Sequence, residues 1–165
     1  KNSLYHCFVG GNSWIDLWKS KANTYAEKDF ILYTLQPRHG TNILFPDKLI
    51  EFIKTQKIKW FIRLHPSLMG QYKEFEDFFL RKNILELINF NQAVNDPLPV
   101  LLKNCLIHVT NSSGSTIEAT MFAKKTVLLH EVGATYYKDF ILEGTARYIP
   151  ADEKFRDNFF EFLNE

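Results

Sequence analysis

The fold of this chain is decided by the segment Leu106-Ile107-His108-Val109-Thr110-Asn111-Ser112-Ser113-Gly114-Ser115-Thr116-Ile117-Glu118-Ala119. Its apolar first part predicts a strand, its hydroxyl side chains around one glycine predict a turn, and the residues from Ile117 to Ala123 predict a helix. The first backbone amides of such a helix have no intrahelical partners and favour an anion. An N-capped helix explains the same Ser and Thr residues. The spacing alone leaves both interpretations open.

Similar strand and helix units repeat on both sides of this segment. The predicted strands are 30–35, 58–64, 84–88, 105–109, 126–129 and 147–149. One predicted helix begins at Pro46, and the others cover 72–79, 97–103, 115–123, 135–142 and 152–163. A turn is predicted at 130–133. Strands that are apolar on both faces and alternate with helices form a parallel sheet covered on both sides. The sequence therefore predicts an α/β fold, a Rossmann-like doubly wound parallel sheet with helices on both faces, over residues 29–165.

Polar clusters follow the predicted strands rather than precede them. They are 36–40, His65-Pro66, 111–116 and 130–133. In doubly wound sheets, ligands bind outside the carboxyl ends of the strands, at the point where the strand order reverses. We therefore expect one ligand site at that edge.

Composition limits the classes of partner. A net charge of +1 with 24% charged residues gives no overall field for nucleic acid or an acidic membrane. No stretch approaches the roughly 20 apolar residues that span a bilayer. Cys7 and Cys105 lie in or beside apolar runs, which favours buried thiols in a reducing compartment over a disulfide. We expect residues 1–28 to be an interdomain connector that docks through Trp14 and Trp18. The first residue, Lys1, indicates a piece of a longer protein.

Each candidate side chain has a plain structural alternative. His65 precedes a proline at a strand end, where it could donate to a phosphate or protonate a leaving group, or simply bond a loop carbonyl. Arg38 and His39 could contact a diphosphate or form a solvated surface pair. Glu118 could accept hydrogen bonds from a ribose or remain an exposed acid. His108 is expected in the core. The chain has neither P-loop nor dinucleotide glycine spacing, and no spacing of ligands suits a metal.

In their order along nearly the whole chain, these motifs resemble the C-terminal domain of GT-B-fold glycosyltransferases and of the related UDP-N-acetylglucosamine 2-epimerases. The segment 9–16 is similar to the epimerase Gly-Asn-Thr-Val-Ile-Asp segment between the domains. The segment 36–39 stands in place of the epimerase His-Arg-Arg-Glu-Asn loop, so that Arg38 is the residue to carry over. The segment 129–132 resembles Leu-Arg-Glu-x-Thr-Glu, with His130 in place of the Arg and Glu131 retained. The following Thr-Glu-Arg-Pro-Glu is absent from 133–137, which counts against a working epimerase.

Two further motifs resemble bacterial sialyltransferases and capsule-type transferases. Arg63-Leu64-His65-Pro66 is similar to their His-Pro motif, which implies that His65 is catalytic, contacting the nucleotide phosphate or assisting the leaving group. The segment 111–119 resembles both their double-serine motif and the epimerase Asp-Ser-Gly-Gly…Glu-Glu-Ala turn. On that match Ser112, Ser113 and Gly114 bind phosphate, and Glu118 holds the ribose.

The resemblance implies a donor-binding C-terminal domain of a GT-B glycosyltransferase for bacterial surface polysaccharide or lipopolysaccharide. Its donor would be a CMP- or UDP-sugar, with no metal and no other cofactor. The acceptor saccharide would need the N-terminal Rossmann-like domain, without which the fragment is expected to be inactive. The expected location is cytoplasmic, with peripheral attachment to the inner membrane through the full-length protein left open. The expected substrate-binding residues are Ser112, Ser113, Gly114, Ser115, Thr116, Glu118, Arg38, His130 and Glu131.

Two rival hypotheses remain open from the sequence. The first is an epimerase-like domain that keeps the same pocket and changes the chemistry. The second is a nucleotide-binding or interaction module without catalysis, in which the polar turn at 111–116 (the serine turn) is only a helix cap.

Overall fold

The computed structural model describes residues 13–22, 25–37 and 45–165. It contains a five-stranded parallel sheet in the order β2-β1-β3-β4-β5. The strands are β1 (Phe30–Thr34), β2 (Trp60–Arg63), β3 (Cys105–Thr110), β4 (Thr126–Leu128) and β5 (Ala146–Tyr148). The helices are α1 (Ser13–Lys21), α2 (Asp47–Thr55), α3 (Tyr72–Arg81), α4 (Phe90–Asn95), α5 (Leu98–Asn104), α6 (Ser115–Met121), α7 (Glu131–Tyr136), α8 (Lys138–Leu142) and α9 (Phe155–Asn164). This arrangement confirms the predicted α/β class.

The sheet is covered on both faces because its central strands are apolar on both sides. One face carries the larger core, where the side chains of α2, α3 and α9 pack on Ile31, Ile62 and Val109. The other face carries a smaller core formed by α5 and α6 with Leu32 and Phe61. A third cluster joins β4 and β5 to Tyr137 and α8. Buried strands with unbroken apolar runs are typical of parallel sheets.

The strand predicted at 84–88 is wrong. Asn83 has a left-handed backbone with φ 55°, and the amide of Ile84 donates to the Phe79 carbonyl at 3.0 Å, which ends α3. Residues Leu85–Leu87 then form a short 3-10 turn, and only Ile88 meets the sheet, in a single bridge to Trp60. The apolar run therefore packs against the core without a strand ladder.

The turn predicted at 130–133 is wrong, whereas the helix predicted at 135–142 is present but divided between two helices. The helix α7 starts at Glu131, because the His130 side chain accepts a hydrogen bond from the Val132 amide and caps it. Tyr137, with φ −110° and ψ 32°, then separates α7 from α8. Two short helices replace the predicted turn and helix.

The N-terminal region is described only from Ser13. Helix α1 packs against α5 and buries Ile15, while Trp14 is 56% exposed and Trp18 is half-buried. The interdomain role expected for residues 1–28 stays a prediction. Cys105 is a buried free thiol, and Cys7 lies outside the described residues. None of the helices within the described ranges is both long and apolar enough to cross a bilayer.

The strand order reverses between β1 and β3. The chain leaves β1 toward β2 on one side, and it returns to place β3 on the other side of β1. In a 2-1-3-4-5 sheet, the loops that follow these two strands diverge and leave a crevice at the carboxyl edge. The segments that fall there are the residues after Thr34 and the serine turn after Thr110.

Candidate functional site

The serine turn is joined to the neighbouring strand by side-chain hydrogen bonds. The Thr110 hydroxyl donates to the Thr34 carbonyl at 2.9 Å, which ties the ends of β1 and β3 together. Both the backbone amide and the hydroxyl of Ser112 donate to Gln36 Oε1, at 2.8 and 3.0 Å. Gln36 follows β1 and is 76 positions away from Ser112 in the sequence. The two loops at the switch point are thus connected by one carboxamide.

The next residues of the turn have features both of a helix cap and of an anion-binding site. Ser113 Oγ accepts a hydrogen bond from the Ser115 amide at 3.3 Å, as a helix-capping side chain does. The Gly114 amide has no acceptor among the described residues. Gly114 has ordinary right-handed helical angles, φ −57° and ψ −20°, and a Cβ there would meet nothing within 4 Å. Neither the backbone nor local packing therefore requires a glycine at this position.

A buried polar network lies beneath the turn. His108 Nε2 is 2.9 Å from Thr34 Oγ1 and 3.2 Å from Ser115 Oγ, while its Nδ1 is 3.1 Å from Thr126 Oγ1. All four residues are buried, and together they connect β1, β3, β4 and the first turn of α6. Burial lowers the pKa of His108 to about 3. The expected core role of His108 is confirmed, and the imidazole is neutral near pH 7.

Helix α7 approaches the serine turn closely at Gly133. A Cβ on Gly133 would lie 2.2 Å from the Asn111 carbonyl oxygen and 3.3 Å from a methyl of Leu128. Only a glycine allows this contact without movement of the helix or the turn. The Tyr137 hydroxyl reaches the Ser112 carbonyl at 3.5 Å from the same side. The turn is therefore held by Gln36 on one side and by the α7 region on the other.

His130 caps α7 in a way that fixes its ring proton. Its Nδ1 accepts a hydrogen bond from the Val132 amide at 3.2 Å. A ring nitrogen that accepts carries no proton, so the proton of the imidazole is on Nε2. The sequence predicted His130 as a substrate contact, and its Nε2 is available as a donor.

A cavity of about 380 Å³ lies between the loops that follow β1, β3 and β4. Its described walls are Gln36, Pro37, Asn111, Ser112, His130, Val132 and Tyr136. The volume falls in the ordinary range for small-molecule sites, and the walls combine apolar surface with a few polar groups. Of the predicted site residues, the cavity brings together Ser112 and His130.

The other predicted residues lie in different surroundings. The side chains of Ser115 and Thr116 are buried. Ser113 is half-buried, and Glu131 is exposed. Arg38 and His39 lie outside the described residues. Ser113 and Gly114 lie next to Ser112 at the carboxyl edge of the sheet, after the end of β3.

His65 lies at the carboxyl end of β2 and is exposed. Its Nδ1 is 2.8 Å from Ser67 Oγ and accepts a hydrogen bond from the Ser67 amide at 3.2 Å, so the ring caps the 3-10 turn Pro66–Gln71. This is the same capping geometry that His130 shows. The Nε2 atom of His65 is thereby left as a donor.

Glu118 is half-buried on α6, and Arg63 lies at the end of β2. Burial raises the pKa of Glu118, and the positive charge of Arg63 opposes that change. The Arg63 guanidinium donates to the carbonyls of Ala93, at 2.6 Å, and Asp96, at the end of α4. Burial lowers the pKa of Arg63, and the nearby acids Asp96 and Glu118 oppose that effect. Glu118 accepts no hydrogen bond from a described residue, so its carboxylate is available to a ligand.

Five of the cavity walls were not among the expected substrate-binding residues, namely Gln36, Pro37, Asn111, Val132 and Tyr136. All of them except Tyr136 belong to the polar clusters that follow predicted strands, and that position was the signal that could have found them. Within the described ranges, no three His, Cys, Asp or Glu side chains come together as a metal site.

Comparisons of sequence find neither a matching protein-family model nor a matching curated protein. Comparison of structure does find relatives of the fold. UDP-GlcNAc 2-epimerase from Methanocaldococcus jannaschii, in complex with UDP-GlcNAc and UDP, aligns with a TM-score of 0.64 at 20% identity over 96% of this chain and 48% of that chain. A structure of S. aureus MnaA with UDP aligns with a TM-score of 0.58 at 20% identity over 94% of this chain and 40% of that one.

A 2-epimerase from Listeria monocytogenes, described as putative, aligns with a TM-score of 0.62 at 18% identity, over 96% of this chain and 45% of that chain. The present chain thus spans less than half the length of these structures. At such identities, the likeness establishes a shared α/β fold.

Proposed function

We propose that this chain binds a nucleotide sugar at the carboxyl edge of its sheet, as the nucleotide-binding half of an enzyme similar to UDP-GlcNAc 2-epimerases. The observation that carries the proposal is the cavity between the loops after β1, β3 and β4, at the switch point of the strand order. Support comes from structures of the same fold that contain UDP or UDP-GlcNAc.

The serine turn supplies the phosphate contacts in this proposal. The free Gly114 amide and the absence of a side chain there allow a phosphate oxygen to approach the backbone closely. Ser113 adds a hydroxyl beside it. Preorganised N–H and O–H donors of this kind stabilise negative charge that develops on a departing phosphate.

Two acidic or basic side chains complete the proposed site. Glu118, half-buried and without a described hydrogen-bond donor, accepts hydrogen bonds from the ribose hydroxyls. Arg38, four residues beyond β1, supplies positive charge to the diphosphate.

A glycosyltransferase is the second candidate, and His65 is the observation that favours it. Its capped Nδ1 leaves a free Nε2–H at the carboxyl end of β2, where a donor to the leaving phosphate is needed. In a transfer reaction the bond between the sugar and the phosphate breaks and the nucleotide leaves with the electron pair. The oxygen of the acceptor hydroxyl forms the new bond to the sugar, and its proton passes to a general base. The absence of the Thr-Glu-Arg-Pro-Glu segment at 133–137 also favours transfer over epimerisation.

Calorimetric titration of the 165-residue chain with UDP, UDP-GlcNAc and CMP tests the proposal. We expect UDP and UDP-GlcNAc to bind, and a preference for CMP would instead favour a transferase with a sialic-acid-type donor. Absence of binding by all three at millimolar concentration would overturn both readings and favour an interaction module.

A double variant locates the binding at the turn. Ser112→Ala with Ser113→Ala removes two hydroxyls, and we expect nucleotide affinity to fall about tenfold. The melting temperature should fall by only a few degrees, since the lost hydrogen bonds contribute about 1–2 kcal/mol. Ser20→Ala, on exposed α1, is the matched control and should alter neither quantity. A large loss of stability with unchanged affinity would show that the turn is only structural.

A further inference from the structure

We infer that the cavity between Gln36 and His130 selects an uncharged group that offers a carbonyl oxygen, and that Gln36 recognises this oxygen by donating a hydrogen bond from Nε2. This inference rests on the proposed nucleotide-sugar function. It names the part of the ligand that the cavity takes and the atom that recognises it.

The first step is the orientation of the Gln36 carboxamide. A backbone N–H can only donate, and the Ser112 amide lies 2.8 Å from Oε1, so the oxygen of the carboxamide must face Ser112. The Ser112 hydroxyl makes a second contact to the same oxygen at 3.0 Å. A flipped carboxamide would place its NH2 group against the backbone N–H. The positions of the oxygen and the nitrogen are therefore fixed.

The second step is what this orientation leaves for the cavity. The Nε2 group of Gln36 carries two N–H donors, and no described residue accepts from them. Gln36 lines the cavity and is half-buried. His130 is fixed in the same manner, since the Val132 amide occupies Nδ1 and leaves Nε2–H. The Nε2 donors of Gln36 and His130 thus both belong to side chains that line one cavity.

The third step concerns charge and shape. None of the described side chains that line the cavity is Lys, Arg, Asp or Glu, and Pro37, Val132 and Tyr136 provide apolar surface. A phosphate favours positive charge, whereas a neutral carbonyl beside an apolar surface suits neutral donors. The uracil ring and the acetamido group of a hexosamine both have this chemistry.

An unsubstituted sugar has no carbonyl oxygen to offer, and cytosine has a carbonyl only at C2. At C4 cytosine presents an amino group where uracil presents a carbonyl, so in a ring held by its C4 edge a donor of the ligand would face the Gln36 donor. Leaving a buried donor without an acceptor costs more free energy than a hydrogen bond contributes when it forms. The cavity therefore discriminates by repulsion as well as by attraction.

Gln36→Glu isolates this role. A carboxylate keeps an oxygen for the Ser112 amide and replaces the NH2 donor by a second acceptor. Gln71→Glu places the same charge on the exposed end of the 3-10 turn, outside the cavity walls, and serves as the matched control. Melting curves of both variants check that they are folded.

The 165-residue chain is titrated with two pairs of ligands of equal charge, UMP with CMP and UDP-GlcNAc with UDP-glucose. Because charge is equal within a pair, the ratio of affinities reports the hydrogen bond and not the added carboxylate. If the uracil ring fills the cavity, we expect UMP to bind about fivefold tighter than CMP. If the acetamido group fills it, we expect UDP-GlcNAc to bind about fivefold tighter than UDP-glucose. The preference should vanish or reverse in Gln36→Glu and persist in Gln71→Glu.

Three results would overturn the inference. The first is binding without preference in either pair, and the second is a preference that is unchanged in Gln36→Glu. Either result would show that Gln36 does not determine the selectivity, while the proposed function stands. Absence of binding by every ligand overturns the proposed function as well.

Discussion

His108 shows how a single side chain connects strands that are distant in sequence. It lies in the middle strand β3, with no exposure to solvent, and its ring contacts hydroxyls from β1, β4 and α6. An isolated polar group at this depth would be strongly unfavourable. The three hydroxyls satisfy both ring nitrogens, and the serine turn thereby rests on a rigid polar base.

The stability of the protein should depend on pH through His108. Its folded pKa of about 3 lies below the ordinary value of 6.5, so the unfolded chain takes up this proton first as the pH falls. We expect the free energy of unfolding to be constant above about pH 6.5 and to decrease below it, by up to about 1.4 kcal/mol per pH unit. Urea unfolding at pH 5.0, 5.5, 6.0 and 7.0 measures this slope.

His108→Gln is the control for this prediction. Glutamine does not titrate, so the variant should be less stable at pH 7 and show a flatter pH dependence. Glu118, whose pKa is raised by burial, acts with the opposite sign in both proteins and cancels in their difference. Equal slopes for the two proteins between pH 5 and 6.5 would contradict the assignment.

Helix α7 is the element that shapes the site, although it is only six residues long. Its start is set by the His130 cap, and its distance from the serine turn is set by Gly133. The helix in turn provides Val132 and Tyr136 to the cavity wall. A change in how α7 packs therefore changes the walls of the cavity.

Gly133→Ala tests this packing. The added Cβ would meet the Asn111 carbonyl oxygen at 2.2 Å, so the helix or the turn must move. We expect a loss of about 1–3 kcal/mol in the free energy of unfolding, together with weaker nucleotide binding. Gly70→Ala is the matched control, because a Cβ at Gly70 meets nothing within 4 Å and should leave both quantities unchanged. A Gly133→Ala protein with wild-type stability and affinity would refute the close contact.

The domain as a whole is held by two cores that share the same strands. Phe159 lies in the core on one face, and Leu101 lies in the core on the other. Strands β1 and β2 contribute side chains to both, for example Ile31 to the first and Leu32 to the second. Because neither core can form without these strands, the domain should unfold as one cooperative unit.

Shortening a buried side chain in either core should therefore lower the free energy of the same unfolding transition. We expect Phe159→Ala to lower the free energy of unfolding by about 3–5 kcal/mol and Leu101→Ala by about 2–5 kcal/mol. Leu80→Ala, where the side chain is 58% exposed, should change it by less than about 0.5 kcal/mol. Far-UV circular dichroism and tryptophan fluorescence should report one midpoint for each variant. Two separate midpoints in either core variant would contradict a shared sheet.

Local patterns were sufficient for the class of fold, and they directed attention to the carboxyl edge of the sheet as a candidate site. Apolar runs of strand length between amphipathic helices predicted the parallel sheet, since burial of both faces of a strand leaves no polar alternation. Polar residues directly after those strands predicted the carboxyl edge. The same reasoning failed at 84–88, because a short apolar run does not distinguish a strand from a buried turn. There the left-handed Asn83 directed the chain into a 3-10 turn.

The partners of the site residues were beyond the reach of these patterns. That Ser112 donates to Gln36, 76 positions away, follows only from the neighbouring positions of β1 and β3 in the sheet. The orientation of the Gln36 carboxamide, the ring proton of His130 and the close approach at Gly133 all depend on backbone groups brought near by folding. Periodicity in a sequence records which face of an element is buried, because burial acts on each residue separately. Hydrogen bonds and contact distances join pairs of residues, and these pairs exist only after the strands have found their order.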